Sequence, residues 1–215
     1  RNAGKPARVA EEHSETVYTT DRAIDFIDEQ GEQPWCLHLS YIKPHWPYIA
    51  PAPYHALYGA EHVQAPIQPE HTSDHPVYQA FRQHQESLNF SRDEVRLTVI
   101  PTYMGLIKQI DDQLGRLFDF LQSNGRWDDT LIVFTSDHGD FLGDHFLGEK
   151  EFLLEPAVGV PLIVRDPRAS ADITRGSVDE RLVETIDALP TFLDALGLPA
   201  ADHRLEGRSL IPLLQ

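Results

Sequence analysis

Thr130-Leu131-Ile132-Val133-Phe134-Thr135 runs directly into Ser136-Asp137-His138-Gly139-Asp140, and the reading of this passage decides the fold. The first half is a continuous apolar run of strand length, the kind buried on both faces of a sheet. The second half places a carboxylate and an imidazole side by side where that strand ends. In open α/β sheets, ligands bind at the carboxyl ends of strands. The oxygen of Asp137 and the nitrogen of His138 together suit a divalent cation, and Gly139 lets the backbone turn sharply away. Taken alone, Asp-His-Gly is also an ordinary turn sequence. Its neighbours decide between the two.

Gly143-Asp144-His145 and Gly148-Glu149-Lys150 follow downstream. A lysine returning to a cation site can hold an anionic oxygen as a compact point charge; the plain alternative is a solvated loop lysine. Asp144 and His145 are expected to be exposed, with support of the site from behind as the alternative. Upstream, Met104, Ile107, Leu114, Leu117 and Leu121 form an apolar stripe at helical spacing, ended by Asn124-Gly125. Ser91-Arg92-Asp93-Glu94 has the form of a capping box opening that segment, and Pro101 is expected to kink or divide it. Asp111 and Asp112 are placed on the helix surface or behind a site. Residues 14–30 read as a further helix, with Val17, Ile24 and Ile27 on one face and Gly31 as its stop.

Trp35, Leu37, Leu39 and Tyr41 alternate with Cys36, His38 and Ser40, the period of a strand. Val160 to Val164 is a second apolar strand, and Asp187 caps a short helix through Leu196, closed by Gly197. Helices alternating with buried strands indicate an α/β layered domain. No apolar run approaches the roughly 20 residues of a membrane span.

Between the Trp35 strand and Ser91 the character changes. Residues 42–91 hold seven of the sixteen prolines and six of the eleven histidines. This stretch reads as a long ordered loop, and such loops are usually functional. It opens with Lys43-Pro44-His45-Trp46-Pro47-Tyr48, in which two prolines stiffen the backbone around a histidine. An imidazole so held at a strand's end is a candidate for protonating a leaving group, since its pKa lies near neutrality. A surface histidine in a proline-rich turn is the plain alternative. His13, His55, His62, His71, His75 and His84 read as loop histidines without a ligand role.

The chain has 215 residues, 41% hydrophobic and 24% charged, with 18 Lys and Arg against 34 Asp and Glu and a formal charge of -16. That acidity argues against nucleic acid or an anionic membrane as the main partner. A small anionic substrate stays possible, because a metal ion inverts the local sign. One cysteine, Cys36, excludes an intrachain disulfide, and it reads as a small buried hydrophobe.

TLIVFTSDHGDFLGDHFLGEK, residues 130–150, is similar to the metal-and-lysine segment of the sulfatase branch of the alkaline phosphatase superfamily. KPHWPYIAPAPYHALY resembles that branch's histidine loop, and YMGLIKQIDDQLGRLFDFL the helix ahead of its metal strand. GVPLIVRDP, VETIDALPTFLDALGLP and LEGRSLIPLL match later segments in order. Within the branch, the histidine loop and the helix look most like phosphonate monoester hydrolases and arylsulfatases.

The resemblance implies an alkaline-phosphatase-like α/β/α sandwich lacking its N-terminal part. Residues 1–215 would be a partial catalytic domain, with 42–91 as an active-site loop and 166–215 as a closing segment. It further implies a metal-dependent hydrolase of phosphonate monoesters, phosphodiesters or sulfate esters. Asp137 and His138 would be ligands of Mn²⁺ or Ca²⁺, Lys150 the contact to the group in transfer, and His45 the proton donor. The expected partners are a small anionic ester and other copies of the chain, with the cytoplasm favoured over the periplasm. Where the resemblance leads one to expect an apolar residue and a glycine before Lys150, this chain has Gly148-Glu149.

The family's nucleophile is a formylglycine made in a Cys/Ser-x-Pro-x-Arg motif. Neither Cys36, in Trp35-Cys36-Leu37-His38-Leu39, nor any serine of this chain fits it. The motif is therefore expected upstream, and the fragment is expected to be inactive by itself. Two other readings stand beside this one. One is a non-catalytic half-domain or interaction module; the other is a two-metal phosphodiesterase or phosphatase with a Ser or Thr nucleophile.

Overall fold

The structure is a computed structural model and describes residues 2–200 and 204–215. The chain divides into two compact units, Arg1–Asn124 with His138–Gly159, and Gly125–Asp137 with Val160–Gln215.

The first unit is helical. α1 (Glu15–Glu29) opens where Ser14 Oγ accepts the Val17 amide at 3.4 Å. It buries Thr16, Val17, Thr20, Ala23 and Ile27, a stripe at helical spacing. Gly31 follows in the left-handed conformation (φ 55°), where a glycine ends a helix at least cost.

α2 (Pro76–Arg82) and α3 (Gln85–Phe90) lie within the segment expected to be a loop. Pro76 at the first turn of α2, after His75 whose Nδ1 accepts the Val77 amide, is the start signal that the proline-rich composition masked. α4 (Asp93–Ser123) is the longest element. Its N-cap is Arg92 and not Ser91, and no side chain caps it. Ser91 ends α3, and its hydroxyl donates to the Leu88 carbonyl. The expected capping box does not form, because the preceding helix already uses its serine.

α4 runs undivided through Pro101. The following turn is locked in place: a Cβ on Gly105 would lie 2.1 Å from the Tyr54 carbonyl oxygen, so the helix backbone lies directly against residues 54–56. Leu106 packs there with Ala50 and Tyr54, and burying such a side chain is worth about 1.5–3 kcal/mol. That packing offsets the amide that proline removes. Around it, Tyr54 Oη donates to Glu11 and Asp112 at 3.0 Å each, and Lys108 bonds Asp111 and Asp112. These two acids therefore belong to a brace between α4 and the start of the chain. α5 (Glu155–Val158) closes the unit.

Trp35–Tyr41 is not a strand in the structure. It keeps the alternation, with Trp35, Leu37, Leu39 and Tyr41 half-buried and Cys36, His38 and Ser40 exposed. Among the described residues no strand pairs with it, and an extended segment without a ladder is not a β-strand. Cys36 thus lies on the outward side and is exposed, contrary to the buried hydrophobe expected.

The second unit holds β1 (Ile132–Thr135) and β2 (Leu162–Arg165), paired antiparallel with Ile132 opposite Arg165 and Thr135 opposite Leu162. Neither is buried on both faces as expected; Ile163 is 62% exposed. In a two-stranded sheet each strand is an edge, so neither gains a neighbour on both sides. α6 (Ala188–Ala195) ends before Gly197 (φ 65°) as expected. Asp187 precedes it but its carboxylate accepts the amides of Glu184 and Arg208 instead of capping the helix.

Candidate active site

The histidine loop is braced from inside. The Lys43–Pro44 and Trp46–Pro47 peptide bonds are cis. Lys43 Nζ donates to the carbonyls of Pro47 (2.9 Å) and His45 (3.3 Å), closing a small ring of chain around the imidazole. Burial pushes the Lys43 amine below its usual range, and the Glu15 carboxylate opposes that shift. His45 Nδ1 lies 3.0 Å from the Trp46 carbonyl, which fixes the proton on that nitrogen. The lone pair then sits on Nε2, and Lys150 Nζ lies 2.8 Å from it. Residues 105 positions apart meet there.

His138 stands beside this pair, its ring 6.0 Å from that of His45 in an edge-on arrangement. Its Nδ1 lies 2.8 Å from the Gly139 carbonyl, so its lone pair too belongs to Nε2, the tautomer a metal ligand needs. Gly139 is required by close approach more than by a turn: a Cβ there would lie 2.0 Å from the Pro156 carbonyl oxygen. Asp137, the residue before His138, is exposed and ends the first stretch of the second unit. The structure thus brings His45, Lys150 and His138 together, with Asp137 joined to His138 by the chain.

The segment from Leu142 to Lys150 is unusual. Leu142, His145, Phe146 and Glu149 have positive φ (47°, 55°, 62° and 64°), a conformation that bulky residues rarely adopt. Phe141 N to Glu149 O (2.8 Å) and Gly143 N to Leu147 O (2.9 Å) tie the loop to itself. Ile67 clips it from the side, its amide donating to Asp144 Oδ1 and its carbonyl accepting from the His145 amide, both at 2.7 Å. Asp144 and His145 are half-buried, so the expected exposure does not hold. Glu149 also explains the departure before Lys150: its left-handed backbone is what a glycine there would supply, so the path to the lysine survives the substitution.

A second bond joins the same two loops. Tyr48 Oη donates to Asp140 Oδ2 at 2.6 Å, and Asp140 Oδ1 accepts the Leu142 amide at 3.1 Å. Burial raises the Asp140 pKa, against the opposing pull of these bonds and of Lys150 and His45. Burial, then the Asp140 charge, push the Tyr48 phenol far above its ordinary range. Sequence reasoning gave neither residue a role in the site, although both stood inside the motifs.

The family model described as Sulfatase matches residues 4–198. The chain belongs to the sulfatase family. It is 39% identical to the multifunctional alkaline phosphatase superfamily protein of Trinickia caryophylli over 224 aligned positions, covering 98% of this chain and 43% of that protein. It is 28% identical to an arylsulfatase of Clostridium perfringens, covering 93% of this chain and 42% of that one. Among solved structures, the phosphonate monoester hydrolase of Silicibacter pomeroyi superposes with a TM-score of 0.88 at 34% identity, over 99% of this chain and 44% of that one. The fold is therefore the alkaline-phosphatase-like one expected, and the chain spans less than half the length of these relatives.

The resemblance to the sulfatase branch assigns a divalent ion to the hard oxygen of Asp137 and the imidazole of His138. Among the described residues no group of three or more His, Cys, Asp or Glu side chains is arranged to hold a metal. Two adjacent donors are fewer than a metal ion needs, so these residues by themselves do not make a metal site. They do not fit a formylglycine, since no residue stands in its motif. Three of the loop histidines are used locally: His62 Nδ1 accepts the Gly59 amide, His75 that of Val77, and His84 pairs with Glu86 at 2.8 Å.

Proposed function

We propose that this sulfatase-family chain carries the leaving-group side and part of the metal site of a metal-dependent hydrolase. Its substrates are small anionic esters: phosphonate monoesters, phosphodiesters or sulfate esters. The observation that carries this reading is the 2.8 Å contact of His45 Nε2 with Lys150 Nζ, beside the ring of His138. Two nitrogen groups able to hold protons converge there from loops far apart in sequence. The names of the similar proteins supply the ester classes.

Asp137 and His138 would be the ligands this chain gives to a Mn²⁺ or Ca²⁺ ion, which would supply Lewis-acid chemistry toward the oxygens of the group in transfer. Lys150 places an ammonium against the charge that group carries. His45 presents Nε2 to the leaving oxygen; in the resting arrangement that nitrogen offers its lone pair to Lys150, so it must first take up a proton before it can donate one. By resemblance the attacking group is a formylglycine, whose motif is not among these 215 residues.

The test uses the full-length protein, loaded with metal. His45→Ala should slow esters of poor leaving groups by about 10²–10⁴-fold and activated aryl esters far less, as loss of a general acid requires. Equal losses on both would remove His45 from that role. Chelation should abolish turnover and Mn²⁺ or Ca²⁺ restore it; full activity in the chelated protein would end the metal reading.

A further inference from the structure

Among the described residues, the hydrogen bonds His45–Lys150 and Tyr48–Asp140 cross the gap between the histidine loop and the metal-and-lysine loop, and of these two only the first involves groups proposed to act on substrate. His45 meets Lys150; three residues on, Tyr48 meets Asp140, which lies two residues after His138. The Tyr48–Asp140 bond, at 2.6 Å, has the length of a charge-assisted O–H···O⁻ contact. Both partners are half-buried. The tyrosine ring is held edge-on by Phe90 at 6.1 Å and Tyr103 at 6.2 Å, so its hydroxyl direction is set by packing. The carboxylate is held at its other oxygen by the Leu142 amide.

The two bonds differ in what substrate does to them. Lys150 must turn to an anionic ester, and its contact with His45 is then shared or lost. Tyr48 and Asp140 need not touch substrate, and their bond persists. A loop fixed at one point can swing about it, while a loop fixed at two keeps its orientation. A proton donor displaced by about 1 Å can cost on the order of 10²-fold in rate.

We propose that Tyr48 and Asp140 are a positioning pair, which keeps His45 aimed at the leaving oxygen while Lys150 engages the substrate. This rests on the proton-donor role of His45. The pair acts through the histidine and performs no chemistry, so its loss should imitate a partial loss of His45.

The experiment is a cycle of Tyr48→Phe, His45→Ala and the double variant in the full-length, metal-loaded protein, assayed on an alkyl and a p-nitrophenyl ester. Tyr48→Phe should lower kcat on the alkyl ester by about 10- to 100-fold with KM within about twofold, and change the activated ester by no more than about threefold. In the His45→Ala background it should add no further discrimination between the two esters. Equal losses on both esters, no loss, or an undiminished effect without His45 would overturn the inference. If His45→Ala itself shows no leaving-group dependence, the proton-donor role fails and this inference with it. A profile in which only His45→Ala discriminates removes the positioning pair alone. Should Tyr48→Phe not fold, Asp140→Asn and Asp140→Ala decide. Asn keeps an oxygen for the tyrosine and should discriminate less than Ala; identical profiles would overturn the pair.

Discussion

The two loops that meet at His45 and Lys150 are stiffened in opposite ways. The histidine loop is restrained by prolines and by a lysine bonded to its own carbonyls. Proline restricts the unfolded chain as much as the folded one, so this order carries little native strain. The lysine loop has no proline between Phe141 and Leu154. It places four non-glycine residues in left-handed backbone, each at about 1–2 kcal/mol. Its order comes from burial: Phe141 is 1% exposed and Leu147 fully covered, packed with Tyr78 and Ala157. One loop is rigid by covalent constraint, the other because its neighbours hold a strained path. Strain of this kind gathers at functional segments.

The difference can be broken at several points. Lys150→Ala in the full-length protein should cost about 10²–10³-fold in kcat/KM, nearly alike for activated and unactivated esters, because the ammonium proposed to face the charge on the transferred group is lost. A leaving-group-dependent loss would mean that the lysine loop serves proton transfer. Leu147→Ala removes the buried anchor and should lower stability by about 2–5 kcal/mol in urea unfolding. A loss under about 1 kcal/mol would show that the strained path is held by its hydrogen bonds and not by burial.

Glu149→Gly should stabilise the protein by about 0.5–1 kcal/mol, since relief of left-handed strain exceeds the added entropy of glycine. Glu149→Gln, which keeps the strain and removes the charge, should not. The smallest effect belongs to the histidine loop. Burial lowers the Lys43 pKa in the folded state, so the folded protein binds fewer protons than the unfolded one just below the ordinary lysine value. Stability should therefore rise with pH through that window, and Lys43→Met should flatten the rise. An unchanged slope would show that the brace titrates as a surface lysine.

Sequence carried α1 and α4 as elements, because each has an apolar stripe at helical spacing. Of the α4 stripe, however, burial uses only Leu117 and Leu121, Ile107 is exposed, and α2 and α3 went unread. It carried the motifs that become His45, His138 and Lys150, since prolines and the strand-end position are local signals. It missed what depends on partners. Trp35–Tyr41 alternates as a strand should, yet pairing is decided by another segment. Ser91 resembled a cap until α3 claimed its hydroxyl. Left-handed residues such as Phe146 and Glu149 carry no propensity that marks them, because their conformation is imposed by the Ile67 clip and the Leu147 core. Tyr48 and Asp140 meet across 92 positions, a distance at which no periodicity speaks.

That separation also bears on the order of folding. Helices such as α4 form from contacts a few residues apart and close quickly. The Tyr48–Asp140 and His45–Lys150 contacts, 92 and 105 positions apart, can form only after the chain between them has been shortened by structure, because closing so long a loop is entropically slow. The site is thus expected to appear late, as a property of the finished fold and not of any early intermediate. A half-folded chain would display its helices while having no chemistry to offer.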